Sequence, residues 1–269
     1  MIQFGITGHT GSLGRILIKS NKDIRYSLFK GDIRKKKDID KWFLNNRFDA
    51  IIHLAAIVPI KEVNKDRVKA REINYLGTKN VVDACLKKNI RWFFFSSTSH
   101  VYSSSKKKIL EKAQIKPISY YGKTKSLAEN YIVKKFKNTK IPYCIGRIFS
   151  TTNKNQKKNY LIPDLKNRIY KSKKNIILKN LNHYRDFISM EDISKIIFIL
   201  FKKKFSGVIN IGSGNAIFLK DIASTIGREY NKNLKFIDNN KKTYLVANIN
   251  KLKKFYKLKL SKSIKKLIF

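Results

Sequence analysis

The sequence predicts an α/β protein built on a doubly wound parallel sheet, with a smaller lobe at the C-terminal end. Apolar strand patterns alternate with helical patterns from residue 1 to about residue 150, which is typical of parallel sheets with helices on both faces. A turn with glycines at positions 8, 11 and 14 joins the first strand to the first helix. Polar residues follow the buried strands at their carboxyl ends, where ligands bind to such sheets.

The predicted elements divide the chain at about residue 150. Before that point we predict strands at 2–6, 26–29, 50–56, 92–95 and 143–149. We predict a first helix that follows the turn at 7–14 and runs to about residue 20, and further helices at 39–45, 67–89 and from Tyr121 onwards. Beyond it we predict helices at 162–171 and 190–203, strands at 176–178 and 208–211, a polar loop at 153–159 and a closing helix within 248–269. We therefore expect a first domain at 1–150 and a substrate-binding lobe at 151–269, with residues 186–212 returning to pack on the first domain.

The net charge of +42 raises the question of a polyanionic partner. Lysine is spread along the whole chain rather than gathered in one patch, and Asn, Ile, Phe and Tyr are also abundant, as expected of a very AT-rich coding sequence. We attribute the charge to this compositional drift and do not expect a nucleic-acid partner. A positive field would still attract an anionic small substrate such as a nucleotide diphosphate.

The chain is expected to be a cytoplasmic protein without a membrane span. It has no apolar run of about 18 residues, and its N-terminus enters a strand pattern directly, without the features of a secretory signal. Cys85 and Cys144 lie far apart and have no metal-ligand spacing, so we predict reduced thiols in the core and no metal site.

The glycine turn is suited to a phosphate group. Glycines after a strand let the backbone approach a pyrophosphate, and the N-terminus of the helix that follows favours negative charge. Asp32 comes about 20 residues after the turn, where an acidic residue can meet the adenosine end of a cofactor. A turn or N-cap role for Asp32 explains the same position.

Tyr121 and Lys125 are predicted on one face of a helix that begins near Ser119, a good N-cap residue. An ammonium group beside a tyrosine favours the phenolate, lowers the tyrosine pKa and provides a general acid or base near neutral pH. A surface pair on a lysine-rich helix has the same spacing, so the pattern needs support from the rest of the chain.

Taken together, these stretches resemble the extended short-chain dehydrogenase/reductase superfamily, in its nucleotide-sugar epimerase, dehydratase and reductase branch. The resemblance covers nearly the whole chain, and the motifs occur in the family's order. They are the cofactor turn at 7–14, Gly31-Asp32-Ile33-Arg34, His53-Leu54-Ala55-Ala56, Asn74-Tyr75-Leu76-Gly77-Thr78, the strand end at 96–102, the pair Tyr121 and Lys125, the second-lobe motif at 184–192 and Asn210-Ile211-Gly212-Ser213-Gly214.

The resemblance implies a Rossmann-like fold in which residues 1–150 bind NAD or NADP. It implies that Tyr121 transfers a proton, that Lys125 lowers its pKa and that Thr98 hydrogen-bonds the reacting oxygen, which makes these three the expected catalytic residues. The expected cofactor-binding residues are Gly8, Thr10, Gly11, Ser12, Leu13, Gly14, Asp32, Ile33, Leu54, Ala55, Ala56, Asn74, Ser96, Tyr121, Lys125 and Ile148. The expected substrate-binding residues are Ser99, His100, Asn159, Leu161 and Arg185, with Arg185 on the substrate diphosphate.

One departure from the family pattern argues against dehydration. The dehydratases carry Thr-Asp-Glu at the strand end, whereas this chain has Thr98-Ser99-His100 and so lacks both carboxylates. His100 could titrate near neutral pH, and an extended segment would point it to the same side as Thr98, so a role on the substrate remains open. The other histidines are expected to be structural.

A second departure is the short stretch between the first helix and Gly31, where the usual second strand and the segment after it are merged or lost. Arg25, Lys30 and Arg34 lie nearby and could accept a 2′-phosphate, which makes NADP as plausible as NAD. A third is Ser150 and Thr151, where many relatives have Asn, so the substrate orientation is open.

The short chain favours reduction of a 4-keto nucleotide sugar, with a nucleotide-sugar 4-epimerase as the alternative. A non-catalytic member of the fold that binds a nucleotide or RNA through the positive charge is a third reading, against which the three expected catalytic residues argue. A homodimer formed through the helices at 74–89 and 121–136 is an expectation from the family resemblance.

Overall fold

The computed structural model describes residues 1–21, 24–58, 60–153, 156, 160–257 and 268. In chain order its strands are β1 (Gln3–Thr7), β2 (Arg25–Leu28), β3 (Ala50–His53), β4 (Trp92–Thr98), β5 (Tyr143–Ile148), β6 (Ser150–Thr152), β7 (Asn175–Lys179), β8 (His183–Arg185), β9 (Phe187–Ser189), β10 (Gly207–Ile211), β11 (Ile217–Phe218), β12 (Asn233–Ile237) and β13 (Thr243–Leu245).

The helices alternate with the strands in the first part of the chain. They are α1 (Ser12–Ser20), α2 (Lys36–Leu44), α3 (Ile60–Lys65), α4 (Arg67–Arg71), α5 (Thr78–Lys87), α6 (Tyr120–Phe136), α7 (Leu161–Lys171), α8 (Met190–Lys202), α9 (Leu219–Glu229) and α10 (Asn250–Lys253). A π-helical turn, Glu72–Gly77, joins α4 to α5, and a 3-10 turn, Ser99–Val101, follows β4.

A six-stranded parallel sheet in the order β2-β1-β3-β4-β5-β10 forms the centre of the molecule. The predicted α/β class and parallel sheet are therefore confirmed. The order reverses after β1: β2 lies on one side of it, and β3 and the later strands lie on the other. Such a reversal opens a crevice at the carboxyl ends of the strands. In the described part of the chain, a single strand, β2, lies between β1 and that edge of the sheet. This agrees with the short stretch of sequence between the first helix and Gly31.

Alternating residues of the buried strands build a hydrophobic core on each face of the sheet. On one face, Phe94 and its neighbours pack against α1 and α8. On the other, Phe93 and Phe95 pack against α5 and α6. Cys85 and Cys144 are both buried as free thiols, one in each core.

The second part of the chain contributes to both the sheet and a smaller unit. Strand β10 joins the edge of the central sheet beside β5. A separate hydrophobic cluster lies between α7, α9 and the small sheets formed by β7 with β12 and by β8 with β11 and β13. No helix in the described ranges is long and apolar enough to cross a membrane.

The main differences from the predicted elements occur next to the crevice. Strand β4 runs on to Thr98, and residues 99–101 form a 3-10 turn, so the expectation of an extended segment through His100 is wrong. The helix predicted at 67–89 contains the π-helical turn. Of the predicted closing helix, α10 lies within the described residues, whereas 258–267 and 269 lie outside them.

Candidate active site

A cavity of about 680 Å³ opens at the carboxyl ends of the central strands, between the sheet and the second part of the chain. It brings together most of the residues that the sequence predicted for the site. Its lining includes Gly8, Thr10, Gly11, Ser12, Leu13, Gly14, Leu54, Ala55, Ala56, Ser96, Thr98, Ser99, His100, Tyr121, Ile148 and Leu161.

The glycine turn leaves a space that Cβ atoms on its glycines would fill. Gly8 has a φ of +74°, which favours glycine, and a Cβ there would stand 2.5 Å from the backbone nitrogen of Ala55. A Cβ on Gly14 would stand 2.7 Å from the carbonyl oxygen of Gly8. Helix α1 begins at the cavity, and no described side chain caps its first N–H groups. Those groups can therefore bind an anion such as a pyrophosphate.

The loop after β3 is held by Asn74, which lies in the π-helical turn. Its side-chain oxygen accepts a hydrogen bond from the Ile57 nitrogen at 2.8 Å, and its nitrogen donates to the Ile57 oxygen at 3.0 Å and to Thr124 Oγ1 at 3.1 Å. Asn74 is fully buried and lies outside the described lining of the cavity. It therefore shapes the floor of the site and ties it to α6.

Asp32 and Ile33 also lie outside the described lining of the cavity. The Asp32 carboxylate is partly exposed and accepts hydrogen bonds from the Arg34 guanidinium, which holds the pKa of that carboxyl below its usual value. Arg34 also pairs with Glu72 at 3.3 Å. Ile33 packs against Gly77. A role for Asp32 and Ile33 in cofactor binding stays a prediction.

Tyr121 and Thr98 meet on the cavity wall. Ser119 caps α6 by accepting a hydrogen bond from the Gly122 nitrogen at 3.1 Å, as the sequence predicted, and so fixes where the helix begins. Both side chains line the cavity, and Tyr121 is 7% exposed. Burial raises the pKa of Tyr121 above its usual value, and the neighbouring Thr98 hydroxyl opposes that rise.

Lys125 follows Tyr121 by one turn of α6 and lies beneath the cavity wall rather than in the described lining. Its Nζ lies 4.0 Å from the ring centroid of Phe95, and the side chain is 1% exposed. Burial lowers the pKa of Lys125 to about 7, with the charge of Glu129 acting against this. The expectation that Lys125 lowers the pKa of Tyr121 towards neutral is wrong, because burial of the tyrosine raises that pKa.

His100 lines the cavity beside Tyr121, with the two ring centroids 6.0 Å apart. Burial and the nearby charge of Arg185 lower the pKa of His100 to about 4, so the expectation that it titrates near neutral pH is wrong. His53 is fully buried, and its ring nitrogens lie 2.6 and 2.9 Å from the hydroxyl oxygens of Thr7 and Thr78. That arrangement gives His53 a structural role.

Arg185 lies near His100 but outside the described lining of the cavity. Its guanidinium donates to the Tyr184 carbonyl at 2.8 Å and to Thr243 Oγ1 at 2.9 Å, and burial lowers its pKa to about 10. It therefore remains a cation at neutral pH. Asn159 lies outside the described residues, whereas its neighbour Tyr160 lines the cavity.

The sequence analysis missed several parts of the site. Ile57, Val58, Ile60 and Glu62 line the cavity but carry no motif. The nearest signal for them is their place after the small residues Ala55 and Ala56. Phe187 and Met190 line the cavity from within the second-lobe motif. Glu129 was missed too, although its spacing from Lys125 puts both on one face of α6.

Comparison with known proteins gives a consistent result. A family model described as the NAD dependent epimerase/dehydratase family matches residues 5–212. A dTDP-D-glucose 4,6-dehydratase of Dictyostelium discoideum is 27% identical over 218 residues, which are 76% of this chain and 50% of the relative. A GDP-6-deoxy-D-talose 4-dehydrogenase of Aggregatibacter actinomycetemcomitans is 28% identical over 220 residues, 78% of this chain and 74% of the relative.

The chain thus spans half the length of the first of these relatives. Among solved structures, RMD from Pseudomonas aeruginosa, complexed with NADPH, matches with a TM-score of 0.88 at 18% identity. The match covers 100% of this chain and 96% of that one. At this identity the likeness shows a shared fold.

Proposed function

Because the chain belongs to the NAD dependent epimerase/dehydratase family, we propose that it is an NAD(P)-dependent nucleotide-sugar oxidoreductase that reduces a 4-keto sugar. The observation that carries this proposal is the presence of Thr98 and Tyr121 on the wall of one cavity that also contains the glycine turn. A proton-transfer group and a pyrophosphate cradle facing one space are what coupled hydride and proton transfer requires.

The residues present fit the cofactor. The turn at 8–14 would hold the pyrophosphate through backbone N–H groups, and Ala55 and Ala56 would leave room for the dinucleotide to cross the sheet edge. When bound, the nicotinamide supplies the hydride. Lys30, which follows the carboxyl end of β2, keeps NADP as plausible as NAD, whereas Arg25 begins β2 at the opposite end of the strand.

Residues of the chain itself would transfer the proton and orient the sugar oxygen. Tyr121 would give a proton to the sugar oxygen as that oxygen gains charge, and the raised pKa of Tyr121 keeps its proton available at neutral pH. Thr98 would donate a hydrogen bond to the same oxygen and orient it. Lys125, one turn below, would stabilise the charge left on Tyr121.

The substrate proposed is a nucleoside-diphosphate sugar. Arg185 is a half-buried guanidinium with five donors and has two acceptors within hydrogen-bonding distance among the described residues, which leaves capacity to bind a diphosphate. The strong positive charge of the chain favours the approach of such an anion.

Dehydration is not proposed, although one relative is named a dehydratase. Water elimination would need an additional acid and base beside Thr98, and the adjacent residues are Ser99 and a His100 with a pKa lowered to about 4. Glu62 is the only carboxylic residue in the described cavity lining, and it enters from a different loop.

The 4-epimerase alternative uses the same tyrosine, so the test must separate the two reactions. We expect NADPH or NADH to be oxidised when the protein is given a 4-keto-6-deoxy nucleotide sugar, and we expect this oxidation to be lost in Tyr121→Phe. Interconversion of UDP-hexoses by protein that retains bound NAD, with no net cofactor oxidation, would instead support the epimerase. Salt-sensitive RNA binding with no turnover of either kind would support a non-catalytic role.

A further inference from the structure

Glu129 belongs to a buried network directly below the proposed catalytic residues. Arg147 donates to both Glu129 carboxylate oxygens, from Nε at 3.1 Å and from Nη2 at 2.7 Å. The side chains of the pair are 5% and 7% exposed. Ser97, which precedes Thr98 and lines the cavity, donates its hydroxyl hydrogen bond to the same carboxylate.

The network continues away from the cavity and fixes Arg147. Its Nη1 donates to the Tyr102 hydroxyl at 2.7 Å and to the Glu111 carbonyl at 2.9 Å, and the Tyr102 hydroxyl donates to Asn210 Oδ1 at 2.8 Å. The Glu129 carboxylate therefore cannot swing away, since helix α6 and strands β4 and β5 all hold it in place.

Lys125 lies one turn before Glu129 on α6, and Tyr121 one turn before that. In the described part of the chain, the groups next to Lys125 are mostly neutral. They are the ring of Phe95, the imidazole of His53 with a pKa lowered to about 3 by burial, and Tyr121. Arg147 adds a second buried cation through its contact with Glu129. Glu129 is thus the one anion acting on Lys125 among the described residues.

We propose that Glu129 is a positioning residue that keeps the buried Lys125 ammonium charged behind Tyr121, with Arg147 and Ser97 holding its carboxylate in place. This inference rests on the proposed function, in which Tyr121 depends on that positive charge. Without Glu129, burial and the unpaired Arg147 cation would both favour the loss of the Lys125 proton.

The direct test follows the Lys125 side chain by NMR in protein with 13C-labelled lysine, with Lys125→Arg assigning the signal. In the wild type we expect a titration midpoint near pH 7. In Glu129→Gln we expect it to fall by about 1–3 pH units. Glu129→Asp keeps the charge and should restore most of the shift, and Ser97→Ala, which removes a hydrogen bond but no charge, should have a much smaller effect.

A double variant separates charge from damage to the fold. Glu129→Gln with Arg147→Met removes both charges, and replacing both members of a buried pair is often tolerated where breaking it is not. We expect its Lys125 midpoint to lie between those of the wild type and Glu129→Gln. An unchanged midpoint in Glu129→Gln, or equal midpoints in the single and double variants, would overturn the inference.

The pH profile of turnover links this result to the reaction. We attribute the apparent pKa of the alkaline limb to Lys125. In Glu129→Gln this apparent pKa should fall by the same number of pH units as the NMR midpoint. If no nucleotide sugar is turned over by the wild type, the proposed function fails, while the NMR titration still decides the role of Glu129.

Discussion

The backbone carbonyl oxygen of His100 lies 2.1 Å from the position that a Cβ atom on Gly122 would occupy. The first turn of α6 therefore rests directly on the 3-10 turn after β4. Because Thr98 ends β4 and Tyr121 lies in the first turn of α6, we expect this contact to set the distance between the two side chains proposed to share the reacting oxygen.

Gly122→Ala should accordingly separate α6 from the 3-10 turn. The added methyl group would meet backbone atoms, which cannot rotate away, so we expect a marked fall in the free energy of unfolding, about 1–3 kcal/mol. Urea unfolding followed by circular dichroism measures it. Gly11→Ala is the matched control, since its Cβ would meet one atom at 3.3 Å. Equal stability of the two variants would contradict the close contact.

The Thr98 hydroxyl should matter for turnover more than for folding. Thr98→Val keeps the shape of the side chain but removes the donor to the reacting oxygen, so we expect kcat to fall about 10²–10³-fold. Thr98→Ser should retain most of the rate. Thr98→Val also removes the acceptor of a 3.2 Å hydrogen bond that the His100 nitrogen donates to Thr98. Thermal unfolding of each variant shows whether loss of that bond contributes to the fall in kcat. A Thr98→Val enzyme with wild-type kcat would remove Thr98 from the mechanism.

His100 should make the protein sensitive to acid. Its pKa falls from the usual 6.5 to about 4 on folding, because burial and Arg185 disfavour the charged ring. Above about pH 6.5 the ring is neutral in both states and no stability is lost, whereas stability falls as the pH drops from 6.5 towards 4. Urea midpoints across this range should therefore fall more steeply in the wild type than in His100→Asn. Parallel curves would show that His100 is not buried as a neutral ring.

Asp186 should be a major determinant of stability next to Arg185. Its fully buried carboxylate accepts hydrogen bonds from the nitrogens of Ser213, Gly214 and Ala247 and from the Ser213 hydroxyl, at 2.6–3.0 Å. In Asp186→Asn the new amide NH2 group would face at least one of these donors, which would then lose its acceptor. We expect the free energy of unfolding, measured by calorimetry, to fall by about 1–3 kcal/mol. Asp40→Asn, which breaks an exposed pair with Lys36, should change stability by less than about 1 kcal/mol. Similar losses in the two variants would contradict this role.

Local chemistry made much of the fold predictable. The Ser119 cap and the spacing of Tyr121 and Lys125 follow from neighbours along one helix, and the order of strands and helices follows from hydrophobic period. The glycine turn was recognisable because only glycine allows that approach of backbone to backbone at Gly8 and Gly14.

The remaining features depend on contacts between distant residues. The 3-10 turn at His100 is set by its contact with Gly122, 22 positions away, and Arg147 meets Glu129 across two elements. The pKa of Tyr121 depends mainly on its burial, and Tyr121 packs with Val63 and Ala70, about 50 positions earlier in the chain. None of these partners can be read from a local pattern. The same holds for His100, whose pKa is lowered by burial and by Arg185, a residue 85 positions away in the chain.

The most direct test of the proposed reaction follows the hydride itself. The protein would be incubated with NADPH or NADH carrying deuterium at both hydrogen positions of nicotinamide C4, together with a 4-keto-6-deoxy nucleotide sugar, and the sugar examined by mass spectrometry and NMR. We predict deuterium at sugar C4, in an amount equal to the cofactor oxidised, and none with Tyr121→Phe. An unlabelled sugar with no cofactor oxidised, from wild-type protein that binds both molecules, would contradict reduction at C4.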